Sequence, residues 1–383
     1  MLKENRWLAV FLLSLPYIND TFPSNYFIYF WIQDFFKIIS FVIVMLLMIR
    51  KKARISFLNK ILIFSCVWLG ISTLINVPLV QDHIYNKFFY DVLSLIYMGI
   101  LIECFADEPD PLINGLMLNY ELALYPYCIA KIFFTTEKYP RGLLNTLILW
   151  IVPAMFLAML RMIKEKKFVR SAFLIVTCLL TVYKVWSATT VASVMMIYLM
   201  FGIGYLLFKT AKIRIPAWLL LVLAFAANLF ILFVYSGGEF KLVDFFIERI
   251  LGKSTTFTER DIIWKEAMRM IIEKPFIGHG SRPVVYAQNS FGSVYIHAHN
   301  QLLQKLNEGG IVSLLLFVGF HIELVRRLDK SRCELGRLIV LSFLFGIWLT
   351  YIVEAYKDFY LFYPVFFIGY HIDEMLVNDK RCI

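Results

Sequence analysis

Residues 295–303 read YIHAHNQLL, which sets His297 and His299 on either side of one alanine and follows them with Asn300. Two imidazoles this close suit two chemistries. One is general base catalysis: a neutral imidazole accepts a proton from a hydroxyl, and its ordinary pKa of about 6.5 makes it ready near neutral pH. The other is metal binding. In an extended segment both rings would face the same side, but zinc also needs a third ligand and usually a fourth filled position. His279 is available as a third, yet no HExxH, no close carboxylate cluster and no cysteine accompanies the pair. The residues favour a proton-handling His299, a structural His297 and no metal.

A second candidate lies upstream. In TFTERDIIWKEAMRMIIEKP (256–275), Ile263, Ala267, Met270 and Ile271 form one helical stripe. Thr258 is a plausible N-cap with Asp261 three positions on, and Pro275 stops the run. This puts Arg260 in the first helical turn, where the helix dipole disfavours a cation unless an anion compensates. Glu259 and Asp261 could supply the compensation. Alternatively, Arg260 and the free N–H groups of that turn hold a phosphate. The sequence leaves both open. IGHGSRP (277–283) then reads as an irregular turn, and 301–308 as a short helix capped by Asn300 and broken by Gly309-Gly310.

These residues need a scaffold, and composition says what kind. Of 383 residues, 60% are hydrophobic and 17% charged, and the mean hydropathy is +0.71. A soluble domain carries about 25% charged residues. Runs such as IPAWLLLVLAFAANLFILFVY (215–235) approach the length of about 20 residues that crosses a bilayer. The chain reads as an all-α polytopic membrane protein with about twelve spans, near 7–22, 28–49, 57–76, 88–106, 112–134, 142–160, 168–186, 188–208, 215–235, 309–325, 335–353 and 360–376. The first is expected to bend at Pro16, and no cleavable signal peptide is evident. The net charge of +10 reflects basic cytoplasmic loops and does not call for nucleic acid. RKKAR (50–54), RMIKEKKFVR (161–170), KTAKIR (209–214) and RRLDKSRCELGR (326–337) fall on one side, which places both termini in the cytoplasm. The six cysteines suggest neither a disulfide framework nor a thiolate metal site.

The organisation follows. Residues 1–235 hold nine spans, 236–308 form one large external loop with short helices, and 309–383 hold three spans and a cytoplasmic tail. A loop that long is usually functional, and it carries both histidines and Arg260. Asp34, Lys37, Asp91, Glu103, Glu121, Lys131, Lys184 and Glu354 fall within the expected spans, where each needs a partner or water. Asp34 and Lys37 are spaced to pair on one helix face.

An ordered pattern runs through the loop: R260-DII-W264-KE-A267, then P275-FI-G278-H-G280, then H299-N300-QLLQKLNE-G309-G310. It resembles the O-antigen ligase and polymerase superfamily, which includes Wzy-type polysaccharide polymerases and WaaL-type ligases. The resemblance implies a GT-C-like glycosyltransferase architecture. It implies metal-independent glycan transfer, without a cofactor, from undecaprenyl diphosphate to an acceptor hydroxyl at the outer face of the bacterial cytoplasmic membrane. His299 would act on the acceptor, and Arg260 would hold the diphosphate. Asn300 and Trp264 fall on the motif and count as substrate-binding candidates. Arg282, just past Gly280, is added on charge alone. Many relatives carry Ser-Arg where this chain reads W186-S187-A188, so Ala188 replaces an arginine; Lys184, Arg249 or Arg141 could supply the missing charge.

Richness in Phe, Ile, Tyr and Lys resembles proteins of AT-rich bacteria. Many of these lack an outer membrane and so lack the ligase's acceptor. That leans toward a repeat-unit polymerase for capsule, exopolysaccharide or O-antigen, with the ligase as the alternative. Expected partners are the lipid-linked oligosaccharide and the bilayer, with a chain-length regulator and a flippase of the pathway as further candidates. A transporter or flippase is the competing class; it would use Asp34 and Lys37 rather than Arg260 and His299.

Overall fold

The computed structural model describes residues 5–18, 27–76, 84–133, 144–165, 168–237, 260–281, 287–288, 294–295, 297–356 and 359–376. The described residues are helical almost throughout. In order, the helices are α1 (Arg6–Ile18), α2 (Phe27–Lys51), α3 (Phe57–Ile75), α4 (Ile84–Cys104), α5 (Pro109–Phe133), α6 (Ile148–Glu165), α7 (Phe168–Val185), α8 (Ala188–Ala211), α9 (Ala217–Gly237), α10 (Arg260–Glu273), α11 (Gln301–Asp329), α12 (Glu334–Thr350), α13 (Tyr363–Tyr370) and α14 (Ile372–Leu376). Two-residue strands, Ala287–Gln288 and Val294–Tyr295, pair antiparallel before the histidines. Among the described residues, five helices are long and apolar enough to cross a membrane: Ile32–Lys51, Phe57–Ile75, Phe168–Val185, Ala188–Ala211 and Gln301–Asp329. Arg6–Ile18, Val92–Cys104, Ala217–Phe233 and Tyr360–Tyr370 are apolar but shorter.

Packing separates central from peripheral helices. α6 and α12 are buried on nearly every face, and Phe156 meets Phe343 edge-on with ring centroids 5.5 Å apart. α2, α3, α7 and α8 instead turn large apolar side chains outward, among them Leu46, Phe64, Phe173 and Leu206. Apolar surface on this scale suits contact with lipid.

The short helix 301–308 ends at Gly309 and Gly310 as expected: their non-helical φ/ψ kink α11 there, and its second part runs on to Asp329. One expectation needs correction. The expected span 360–376 is divided into a 3₁₀ turn (Phe359–Phe362), α13 and α14. Pro364 sits in the first turn of α13, where its missing N–H costs nothing. In addition, Cys66, Cys104, Cys128 and Cys178 are free and buried, whereas Cys333 is disulfide-bonded, a pairing that the cysteine spacing does not announce.

Charge marks one end of the bundle. Arg214 at the exit of α8 bridges Glu334 at the start of α12 at 2.8 Å. Asp329 accepts from the N–H of Ala217 at the start of α9 at 2.7 Å. The other ends of α9 and α12, with the start of α11, carry the histidines.

Candidate active site

Helix α10 is built as its stripe predicts. Ile263, Trp264, Ala267 and Met270 bury against Ala298 and Leu303, with Ile231 and Leu232 of α9 packed alongside. This small core presses α10 onto the HAHN segment. The Trp264 indole N–H donates to the carbonyl of Ala298 at 3.0 Å, and the Ala298 N–H donates to Oε1 of Gln304 at 2.9 Å. Asn300 caps α11, its Oδ1 accepting from the N–H groups of Leu302 and Leu303 at 3.0 and 3.1 Å. Its Nδ2 donates to Oδ1 of Asn228 at 2.8 Å and to the carbonyl of Ile352 at 3.0 Å. Trp264 is 1% exposed and Asn300 0%. Both are buried, and the bonds of each hold the HAHN segment in place.

The turn after α12 closes onto this segment. The Gln301 N–H donates to the carbonyl of Tyr351 at 3.0 Å, and the Tyr356 N–H donates to Oε1 of Gln301 at 2.7 Å. Between these two anchors lies Glu354. Its Oε1 is 3.3 Å from Nδ1 of His299 and 3.8 Å from Nδ1 of His297. The sequence places Glu354 inside a span; the structure ends α12 at Thr350 and puts Glu354 in the turn beyond it. The signal for it was faint: one carboxylate just past an apolar run, in no motif.

His299 has φ 46°, the left-handed region that a non-glycine residue rarely adopts. Such a conformation costs about 1–3 kcal/mol and persists where neighbours enforce it. Here the Asn300 cap and the Ala298 clamp hold both flanks. The result sets the two imidazoles side by side, with centroids 3.9 Å apart and ring planes tilted by 54°, and lets His297 Nδ1 accept the His299 backbone N–H at 3.3 Å.

The electrostatics are those of a compact cluster. Burial alone would raise the Glu354 carboxyl; the His299 imidazole 3.3 Å away, with His297 and Arg260, outweighs it and holds the group below its ordinary value. Burial, then the neighbouring His299, push His297 down to about 4, with Arg260 adding to the shift and Glu354 opposing it. Burial also lowers Arg260, against the attraction of Glu354 and Tyr356. Arg260 opens α10 as expected, and it shares its field with the two histidines.

Ligand atoms of His297, His299 and Glu354 lie within 4.8 Å of one another. Among the described residues this is the trio that could hold a cation, with Glu354 where the sequence offers His279. His279 is elsewhere: its Nε2 lies 2.8 Å from the carbonyl of Met270. The guanidinium of Arg260 acts on His297 and Glu354, and His297 Nδ1 already accepts a hydrogen bond; both weigh against a metal.

The glycines of the motif do structural work. Gly278, Gly280 and Gly310 all have positive φ. The N–H groups of His279 and Gly280 donate to the carbonyls of Asn307 and Glu308 at 2.7 and 2.9 Å, and Ile311 N–H donates to Pro275 at 2.8 Å. This backbone-to-backbone docking seats the 275–281 turn in the α11 kink. From α3, Ser72 Oγ lies 2.6 Å from the Ile277 carbonyl, and Trp68 donates to the Gly309 carbonyl at 2.7 Å.

Lys184 is exposed in the last turn of α7, a helix that packs on α5, α6 and α8. Ser187 precedes α8 and is buried, and Ala188 is exposed. Arg282, Arg249 and Arg141 lie outside the described residues.

Fold and site together define a helical membrane protein with a histidine–carboxylate–arginine cluster at one end of the bundle. Residues 173–318 match the family model described as O-Antigen ligase. That stretch contains Lys184, Arg260, Trp264, His299 and Asn300, and it stops short of Glu354. A protein of Rickettsia conorii named "Putative polysaccharide ligase" is 27% identical over 132 residues, which is 32% of this chain and 32% of that protein. The match thus spans about a third of the relative's length. These comparisons support a place in the O-antigen ligase and polymerase superfamily.

Proposed function

We propose that the protein polymerises undecaprenyl-diphosphate-linked oligosaccharide repeat units on the outer face of the cytoplasmic membrane. About twelve spans and the external 236–308 loop would form the scaffold, with both termini cytoplasmic. The observation that carries the reading is the 3.3 Å approach of Glu354 to His299 Nδ1 beside Arg260. With the Nδ1 proton directed at Glu354, Nε2 keeps its lone pair for an acceptor hydroxyl. As that oxygen bonds to the anomeric carbon, its proton passes to Nε2 and Glu354 stabilises the resulting imidazolium. The bond from the anomeric carbon to the diphosphate breaks with its electron pair on the departing oxygen, and Arg260 offsets the developing charge. No metal enters this scheme. Arg282 and Lys184 are the candidates for a second diphosphate contact. A chain-length regulator and a flippase of the same pathway are its proposed partners.

The alternative within the superfamily is a ligase that moves the finished glycan to another acceptor, and the printed name of the Rickettsia relative favours it. Complementation separates the two. A deletion strain is restored with wild type, His299→Ala or Arg260→Ala at matched membrane expression, and its glycans are resolved on a gel. A wild-type ladder that collapses to single lipid-linked repeats in both variants indicates the polymerase. Long unattached lipid-linked chains indicate the ligase. Wild-type ladders in both variants overturn the site and turn attention to Asp34 and Lys37, as a transporter requires. Activity of wild-type membranes that survives chelation with EDTA supports a metal-free mechanism.

A further inference from the structure

Helix α10 has a side that neither its small core nor the chemistry above uses. Adjacent residues on a helix point about 100° apart, which gives α10 three sides. Ile263, Trp264, Ala267 and Met270 form the side that buries against Ala298 and Leu303. Glu266, Arg269 and Glu273 form a second, an ion-pair ladder in which Arg269 bridges Glu266 at 2.6 Å and also pairs with Glu273. Met268 and Ile272 form the third, with Lys265 beside them. Both apolar side chains are exposed, Ile272 at 74%, and Phe276, just past the helix end, extends the strip at 69%.

The neighbours of α10 say what faces this strip. The 275–281 turn is tied to the last turn of α3. Ser72 Oγ lies 2.6 Å from the Ile277 carbonyl, and Asn76 Nδ2 donates to the Gly278 carbonyl at 3.0 Å. The Ser281 N–H donates to Thr73 Oγ1 at 2.9 Å, and Lys274 Nζ donates to Asn76 Oδ1. At this same level α3 turns Ile71, Leu74 and Ile75 outward, Leu74 at 66% exposure. α3 is long and apolar enough to cross a membrane. On the other flank, Ile231 and Leu232 of α9 pack on the α10 core, while Leu229, Phe230 and Phe233 face outward. Phe276 therefore stands level with side chains that lipid covers, and not beyond them.

We propose that α10 is an interfacial helix. It lies at headgroup level in the membrane, with Met268, Ile272 and Phe276 against lipid acyl chains and the Glu266–Arg269–Glu273 ladder in water. An apolar strip beside a charged face is what holds a helix in that plane. Lys265, on the apolar side, runs its stem along lipid and returns its ammonium to the headgroups. The occupant of the strip is the bilayer, because the strip continues the outward apolar surfaces of α3 and α9. Arg260 opens the same helix, so the histidine–carboxylate–arginine cluster lies at the depth of the headgroup phosphates. The inference rests on the membrane reading of the fold and not on the transfer chemistry.

Full-length protein carrying Ile272→Cys, Phe276→Cys, Glu273→Cys or Leu74→Cys is spin-labelled and reconstituted into vesicles of phosphatidylethanolamine and phosphatidylglycerol. Protein without an added cysteine gives the background from native thiols. Collision with oxygen, which concentrates in lipid, is compared with collision with a nickel chelate, which stays in water. Labels at positions 272 and 276 should match the label at 74, with an oxygen-to-nickel ratio several-fold above that at 273, although 272 and 273 are adjacent. Ratios at 272 and 276 equal to that at 273 put the strip in water and overturn the proposal. So does a label that neither reagent reaches, which means that protein covers the strip. If the label at 74 is itself in water, the level taken from α3 is wrong and the proposal falls with it. Met268→Cys repeats the measurement on the same strip if Phe276→Cys does not fold. No activity is read, so failure here leaves the transfer reading standing.

Discussion

Nδ1 of His299 lies 3.3 Å from Oε1 of Glu354, and the contact is made between the segment that leads into α11 and the turn that follows α12. Gln301 joins them, donating to Tyr351 and accepting from Tyr356 on either side of the carboxylate. Glu354 is thus fixed against the imidazole by bonds from the backbone and side chain of Gln301 and not by its own side chain alone. As a positioning residue it should tolerate little change. Glu354→Gln is expected to lower glycan transfer about 100-fold or more, the range of a general-base contribution, with membrane levels retained. Glu354→Asp should recover part of the loss, because charge survives at a longer reach. Equal rates for Gln and Asp would mean that the carboxylate charge is irrelevant.

Arg260 tests the other half of the cluster. Its guanidinium is partly buried and acts on Glu354 and Tyr356. If it stabilises a departing diphosphate, Arg260→Ala should reduce kcat by about 100-fold, as removal of one donor to a developing charge does elsewhere. Arg260→Lys keeps the charge and loses the fork, so it should fall between the two. Steady-state kinetics with a lipid-linked donor would show this order. A change confined to KM would instead make Arg260 a binding residue with no role in the chemical step.

The parts of this site that sequence reveals are those with local signatures. His299 and Arg260 stand in a spaced motif, and the α10 stripe of Ile263, Ala267 and Met270 packs as its period requires. Glu354 had no such signature, because its role exists only once the turn after α12 folds back onto Gln301. Trp264 and Asn300 carry the motif but face inward, and spacing alone does not distinguish a residue that touches substrate from one that holds the residue that does. The same holds for the bundle. Apolar runs announce helices, but nothing local says that α6 and α12 are central, since both are apolar on all faces. The division of 360–376 followed from Pro364 and His371, which an apolar-run reading passes over.

Trp264 should therefore behave as a clamp. Its indole N–H bonds to Ala298, the residue between the two histidines. Trp264→Phe keeps most of the buried volume and removes one hydrogen bond, a loss of about 1 kcal/mol in stability. Because the freed carbonyl is next to His299, the transfer rate should fall by more than that stability change explains, while KM for the donor holds steady. Rate and KM measured on the same preparation decide it; a rise in KM alone would restore Trp264 as a substrate contact.

Gly310 is expected to be among the least replaceable residues. Its φ is +64°, and an added Cβ would lie 2.2 Å from the carbonyl oxygen of Phe276. Relief would need the 275–281 turn to lift out of the α11 kink, breaking the bonds from His279, Gly280 and Ile311. Gly310→Ala should destabilise the protein by about 3 kcal/mol or more, seen as a large fall in Tm or in folded yield. Gly319, whose added Cβ meets nothing within 4 Å, is the control: Gly319→Ala should be close to neutral.

His297 gives the cluster a pH dependence whose sign can be worked out. In the folded protein its pKa is pushed down to about 4 from the ordinary 6.5. Between those values the unfolded chain binds the proton and the folded chain does not. Stability linked to His297 is therefore complete above pH 6.5 and is lost as pH falls toward 4. Glu354 acts in the same direction, since its folded pKa lies below the ordinary 4.5 and its contribution also disappears in acid. Thermal unfolding of the purified protein between pH 7 and pH 4 should show Tm dropping with acidity. His297→Gln, which cannot titrate, should flatten the upper part of that curve and leave the Glu354 part below it. A Tm profile identical to wild type would show that His297 keeps its ordinary pKa and lies open to water.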